Sequence, residues 1–417
     1  MNVLHVSETD LVGGRFNGYY MQQGVDPAEC TFGMAVWSKK SGNPAVYALR
    51  PPRAGILRTP RAALQLLDRG LCLGGLTGLG SLAYPLRSFF RQADVVHLQL
   101  VHNDAYFSIL ALPLLSRAKP IVWTIHDFWA FTGMCTYPFD CERWLAGCQG
   151  RCPHPRGRGI TRHWIPAVHW WVKRATYKHS RLSLVVASQF MREQVARSPL
   201  LGHLPCHLIP FGVDLSLFSP RPRAEARAAL GLAGIREGEH ILAFRGSPQK
   251  VDQYKGMAWL REALELYEPT VPTTLLIMQD ASGFWPLSKK YRIVDLGWVD
   301  GEVLANALSA ADLFLMPSVQ EAFGLMAVEA MACGTPVIVF EGTSLPEVIR
   351  APEGGGTAVP MKDSRALAEE IARLLADDKA REGLGRRARE IAEREYPHSL
   401  YVRRHLELYR SLLENPQ

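Results

Sequence analysis

A chain of 417 residues, 47% hydrophobic and 21% charged, holds enough apolar material for a packed core and exceeds the length of most single domains, so two domains are expected. It contains no run of about 18 uninterrupted apolar residues, which excludes a membrane-spanning helix. The opening MNVLHVSETD lacks the basic and apolar regions of a secretory leader, so the expected setting is cytoplasmic and reducing, and the eight Cys are not expected to form disulfides.

In chain order, short apolar runs bounded by turn residues recur at NVLHVS, DVVHLQL (94–100), PIVWTIHD (120–127), LSLVVAS (182–188) and HLIPFGVD (207–214). Helically spaced stretches such as 106–116 lie between some of them, an alternation that predicts a parallel sheet with crossover helices. The pattern restarts after IPFGVD, whose Pro and Gly mark a linker. HILAFRG (240–246), TTLLIMQD (273–280), YRIVDLGWV (291–299), LFLMPS (313–318) and TPVIVF (335–340) are the expected strands, with helices at 256–267, 301–310 and 324–333. From Ser364 the chain reads as helix up to Pro397, and LYVRRHLELYRSLL forms a last amphipathic helix.

The net charge of +7 is modest, but its distribution is not even. Between Glu142 and Glu193 there is no Asp or Glu, whereas Arg143, Arg151, Arg174, Lys178 and Arg181 fall there, interleaved with Trp164, Trp170, Trp171 and Tyr177. Such a segment fits an anionic membrane surface or an anionic glycolipid, or is simply a solvated basic face. No nucleic-acid module accompanies the charge, so no nucleic-acid partner is expected. Cys135, Cys141, Cys148 and Cys152 lie within 18 positions. Four thiolates with His154 as a spare can form a structural zinc site, but the spacing is not that of a zinc ribbon, and free or redox-active thiols stand equally.

The stretch SVQEAFGLMAVEAMACGTPVIVF carries Glu321 and Glu329. On one continuous helix they would stand about 80° apart and about 12 Å along the axis, poor geometry for an acid/base pair. Glu321 instead falls in the loop after a strand, where ligands sit in open α/β sheets, and Glu329 inside the helix that opens near Gly324. The free N–H groups at that helix start suit a diphosphate, with Glu329 toward ribose hydroxyls and Glu321 toward sugar hydroxyls.

Serine, two residues, Glu, an aromatic, Gly and a second Glu before Ala resemble the signature of retaining nucleotide-sugar glycosyltransferases of the two-domain GT-B architecture, similar to family 4 and to bacterial polysaccharide-building enzymes. The resemblance implies an α/β fold of two Rossmann-like domains facing across a cleft, with the terminal helix crossing back to the first. The expected boundaries are 1–211, with a Cys-rich insertion at 131–155 and completion by 398–417, and 212–397.

FRGSPQKVDQYKG resembles the family's diphosphate-neutralising segment and implies Arg245 and Lys255, with Lys250 as an alternative. LGWVDG resembles its base-contacting segment and implies Gly297, Trp298 and Val299, while Phe323, Gly324 and Leu325 belong to the donor site by the same match. TIHD implies His126 near the donor sugar, the glycine loop Gly13 and Gly14 borders the cleft, and Arg15, His97, His102, Asn103 and Asp127 are candidates for the acceptor pocket.

The implied reaction moves a sugar from a UDP- or GDP-sugar to a hydroxyl of a glycan or polyprenyl-diphosphate-linked acceptor with retention at the anomeric carbon. Arg245 and Lys255 would stabilise the leaving diphosphate, with Glu321 and His126 orienting the sugar. No Asp-x-Asp metal motif is read, so no catalytic metal is expected. A nucleotide-sugar epimerase, a phosphorylase or a non-catalytic nucleotide-sugar scaffold would share the architecture. The expected location is the cytoplasm, with peripheral attachment to the inner face of the membrane.

Overall fold

The structure, a computed structural model, describes residues 1–12, 14–50, 76, 78–102, 106–153, 163–232, 234–235, 238–247 and 252–415. Gly13, Asn103, Lys250 and His154 lie outside the described residues. The chain divides into two compact units, one of Met1–Ile209 with Val402–Gln417 and the other of Pro210–Tyr401.

The first unit is built on seven parallel strands in the order β3-β2-β1-β4-β5-β6-β7. They are β1 (Asn2–Thr9), β2 (Thr31–Ser38), β3 (Val46–Ala48), β4 (Val95–Leu98), β5 (Ile121–Thr124), β6 (Leu182–Val186) and β7 (Cys206–Leu208). Strands β4, β5 and β6 are buried at every position, as expected where helices cover both faces of a parallel sheet. The helices are α1 (Ser88–Gln92), α2 (Leu112–Ala118), α3 (Ile165–Lys178) and α4 (Gln189–Arg197).

The second unit repeats the plan with six parallel strands ordered β10-β9-β8-β11-β12-β13. They are β8 (His240–Arg245), β9 (Thr273–Met278), β10 (Arg292–Gly297), β11 (Leu313–Met316), β12 (Val337–Phe340) and β13 (Gly356–Val359). The helices are α5 (Arg223–Ala229), α6 (Asp252–Lys255), α7 (Met257–Leu266), α8 (Gly301–Ala310), α9 (Leu325–Ala332), α10 (Leu345–Val348), α11 (Ser364–Ala376) and α12 (Asp378–Glu395). Leu242, Phe244, Leu260, Leu275, Ile277 and Leu313 are among the buried side chains of its core. The last helix, α13 (His398–Glu414), runs from the second unit into the first.

Three strands have no counterpart among the runs read from the sequence: β2, in which Thr31 and Gly33 dilute the apolar pattern, and the short β3 and β13. The expected strand at 207–214 is shorter, because Pro210 cannot donate to a ladder. The expected single helix from Ser364 is two, since the Asp377 side chain accepts from Ala380 N and caps a new helix there. Among the described residues, no helix is long and apolar enough to cross a membrane.

Candidate active site

In each unit the strand order reverses beside its first strand, between β1 and β4 and between β8 and β11. In open α/β sheets the crevice at that point, beyond the carboxyl ends of the strands, receives ligands.

In the second unit Arg245 is the last residue of β8, and the loop after β11 carries Glu321 into α9. Arg245 Nε donates to Gln279 Oε1 at 2.6 Å, its guanidinium lies 4.2 Å from the Trp298 ring centroid, and Nη1 reaches Met326 Sδ at 3.5 Å. The arginine therefore stands over the first turn of α9, splayed on an indole that is itself 64% exposed. Lys255, at the end of α6, lies 2.9 Å from Glu321 Oε2. Both side chains are partly exposed, so the pair is open to a ligand.

The backbone explains why these charges meet. Val319 N donates to Tyr254 O at 2.9 Å, tying α6 to the loop that bears Glu321. Gly256, at φ +73°, follows Lys255, and a Cβ there would stand 1.8 Å from Pro317 O, so only glycine admits this approach. Gly324 caps α9 at φ +92°, which turns the chain and leaves the first N–H groups of the helix directed outward. Ser344 Oγ donates to the Glu321 carbonyl at 3.1 Å and holds the loop from behind. Phe323 is buried and meets Phe211 edge-on at 5.3 Å, so it braces the loop within this unit. Glu329 is also buried, one turn into α9, while Leu325 is half-buried at its start. Gly297 ends β10 at φ +62° and accepts from Gln279 N.

In the first unit the groups at the switch are His126 and Asp127 after β5, Gln99 after β4, and the 10–18 loop after β1. His126 Nε2 is hydrogen-bonded to Gln99 Oε1 at 2.7 Å, and Gln99 Nε2 to His5 Nδ1 at 3.2 Å. His102 Nε2 stands 3.3 Å from Asp127 Oδ2, and its ring stacks on Trp129 at 5.2 Å. Burial, with neighbouring His102, lowers the pKa of His126 to about 3, so the imidazole is neutral near pH 7. His97 lies beside His5, ring centroids 4.9 Å apart, and is fully buried; it bonds Tyr409 OH at 2.6 Å and Thr124 Oγ1 at 2.7 Å, pinning α13 to the sheet.

The 10–18 loop is shaped by two residues that sequence reasoning passed over. Buried Asp10 accepts from Lys40 N and Ser41 N at 2.8 Å each. Burial alone would raise its pKa, but the bonds from Ser41 and Lys40 outweigh it and hold the carboxyl below its ordinary value. Asn17 Nδ2 donates to Thr9 O at 2.7 Å and Asp10 O at 2.9 Å, which makes it a loop brace. Arg15 and Gly14 are carried on that loop. Gln99 and Gln279 were also missed; each is a polar residue just beyond an apolar strand next to a switch, a signal the sequence does contain.

Cys135, Cys141, Cys148 and Cys152 are free thiols that line one small cavity with Thr132, Trp144 and Pro166. Gly133 N donates to Cys148 Sγ at 3.2 Å, and burial pushes the Cys148 thiol up to about 11. Among the described residues, no three of His, Cys, Asp or Glu are arranged to hold a metal ion. The segment is anchored on α3, where buried Lys173 donates to Trp129 O, Thr132 O and Gly133 O, and Trp170 Nε1 donates to Trp144 O at 2.7 Å.

Two Rossmann-like parallel-sheet units in one chain are the arrangement of the GT-B fold. The sucrose-phosphate synthase of Thermosynechococcus elongatus is similar in fold over 99% of this chain and 100% of its own, with a TM-score of 0.66 at 21% identity. Anabaena HepE in complex with UDP and glucose is similar over 99% and 100%, with a TM-score of 0.65 at 16% identity. The D-inositol 3-phosphate glycosyltransferase of Saccharomonospora viridis is 28% identical over 414 residues, 94% of this chain and 89% of that protein. The Glycosyltransferase Family 4 model matches residues 45–217 and the Glycosyl transferases group 1 model residues 239–377. The chain belongs to the family-4-like glycosyltransferases of GT-B fold.

Proposed function

We propose that the protein transfers a hexose from a UDP- or GDP-sugar to a hydroxyl of a glycan carried on a polyprenyl diphosphate, with retention at the anomeric carbon, in the assembly of an exopolysaccharide or surface polysaccharide. The observation that carries the donor reading is the grouping of Arg245, the Lys255–Glu321 pair and the open start of α9 at one switch point. A diphosphate meeting this group takes the planar fork of Arg245, the point charge of Lys255 and the helix N–H groups together.

Bond breaking at the anomeric carbon leaves negative charge on the diphosphate, which those cations stabilise most when the bond is longest. Glu321, released from part of its hold on Lys255, accepts from sugar hydroxyls, and Glu329 is assigned to the ribose. Trp298 with the backbone of Gly297 and Val299 is assigned to the base. His126, neutral, is assigned to the transferred sugar as a hydrogen-bonding group, and the leaving diphosphate takes the acceptor proton. Arg15, His102 and Asp127 are assigned to the acceptor. The basic, carboxylate-free stretch 143–192 supports a lipid-linked acceptor and work at the inner face of the cytoplasmic membrane.

A panel of nucleotide sugars scored first by thermal stabilisation and then by product analysis tests the reading. The expected outcome is one preferred UDP- or GDP-sugar whose sugar appears on a lipid-linked glycan with its anomeric configuration kept. Epimerised donor formed without acceptor, or a product of inverted configuration, contradicts it.

A further inference from the structure

Of the fourteen large apolar side chains left exposed among the described residues, seven fall on neighbouring helical segments of the first unit. Leu82 and Leu86 lie on the 3-10 helix Leu79–Leu86, Leu110 and Leu114 on the turn Ile109–Ala111 and on α2, and Trp164, Val168 and Trp171 on the start and body of α3. These segments pack in series: Leu79–Leu86 against Ile109–Ala111 and α2, and both of those against α3. Residues three, four and seven apart share one helix face, so Trp164, Val168 and Trp171 form a single outward stripe, as do Leu110, Leu114 and Arg117.

The inward face of α3 is fully engaged. Lys173 holds three carbonyls of the 129–133 segment, Trp170 bonds Trp144 O, and Tyr177 OH donates to Ala130 O at 3.0 Å. The outward stripe is thus not a displaced core face. Its charge pattern is equally one-sided. Exposed Arg87, Arg91, Arg117, Arg174, Lys178 and Arg181 accompany it, and residues 78–93, 106–126 and 163–192 contain no Asp or Glu. A helix face that only meets water carries both signs, as α12 does with its Arg389–Glu393 and Arg386–Glu382 pairs.

We propose that this face docks on an anionic lipid bilayer, with Trp164, Val168 and Trp171 entering the boundary between headgroups and acyl chains and Arg117, Arg174 and Lys178 meeting lipid phosphates. The chemistry is that of an interfacial amphipathic surface: indoles suit the headgroup level, and cations held beside them select negative lipid. The proposal rests on the reading that the acceptor is lipid-linked, and it names the surface that brings the enzyme to it.

The test is co-sedimentation of the full chain with phosphatidylcholine vesicles and with vesicles containing phosphatidylglycerol, at low and raised salt, for the wild type, a Trp164→Ser/Trp171→Ser variant and an Arg174→Glu/Lys178→Glu variant. The expected result is binding to anionic but not neutral vesicles, weakened by salt, and reduced at least about tenfold in each variant, while UDP binding and melting profile stay as in the wild type. Failure of the wild type to bind anionic vesicles at low salt overturns the proposal, as does undiminished binding by both variants. So does size-exclusion showing that the substitutions split a dimer without changing vesicle binding, since the face would then receive a second copy. Failure to bind vesicles with UDP or GDP binding intact leaves the donor reading standing, whereas vesicle binding without binding of either UDP or GDP removes the donor reading alone.

Discussion

At the scale of single residues, the pairing of Lys255 with Glu321 is the feature with the clearest consequence. A partly exposed ion pair adds little to stability, typically about 0–1 kcal/mol, so its value lies in where it holds the two groups. In the proposed reading each is oriented by the other until a donor arrives, when Lys255 turns to the diphosphate and Glu321 to sugar hydroxyls. Glu321→Gln keeps the shape and one acceptor oxygen but removes the charge. Turnover is expected to fall by about 10²-fold with UDP affinity within a few-fold of wild type, as read by steady-state rates beside titration of UDP. Wild-type turnover in this variant would remove Glu321 from the reaction. The types of residue were legible in the sequence, because Arg245, Lys255 and Glu321 sit in motif-like surroundings. Their supports were not: Gln279 under Arg245 and Ser344 behind Glu321 are chosen by tertiary proximity across 34 and 23 positions, which no local pattern encodes.

At the scale of elements, the sheets were readable because parallel strands buried on both faces appear as unbroken apolar runs, as in LSLVV and TTLLIM. Strands β2 and β13 lack such runs, since Thr31, Gly33, Gly356 and Thr357 interrupt them, and pairing to a neighbour supplies what their composition does not. The helix boundary at Asp377 escaped notice for a similar reason, as one capping side chain in a helix-rich stretch carries the whole signal. The elements at the first unit's switch also set a pH response. His5 and His97, on β1 and β4, and His126 after β5 form a run of imidazoles whose pKa values burial depresses, to about 3 for His5 and His126 and well below the ordinary value for His97. Because the folded pKa lies below the unfolded one, the unfolded chain binds more protons between about pH 3 and 6.5. Stability is therefore full above about pH 6.5 and is lost as the pH falls below it, by up to about 1.4 kcal/mol per pH unit for each histidine. Calorimetry should find a melting temperature steady between pH 7 and 8 and falling steeply from about 6.5 to 5; a flat profile across that lower range would show that the imidazoles are protonated in the folded protein.

At the scale of the whole molecule, one plan is used twice. Each unit places its candidate groups at the strand-order reversal, but with different chemistry: neutral imidazole and amide groups in the first, cations and a helix start in the second. That difference is the ground for proposing that the nucleotide diphosphate binds the second unit. The claim is tested most directly by calorimetric titration of UDP into the wild type and a Lys255→Ala variant. A lost charged hydrogen bond of about 1.5–3 kcal/mol should weaken UDP binding by roughly 10- to 150-fold, with the fold intact by circular dichroism. Equal UDP affinity in the two proteins would contradict the account.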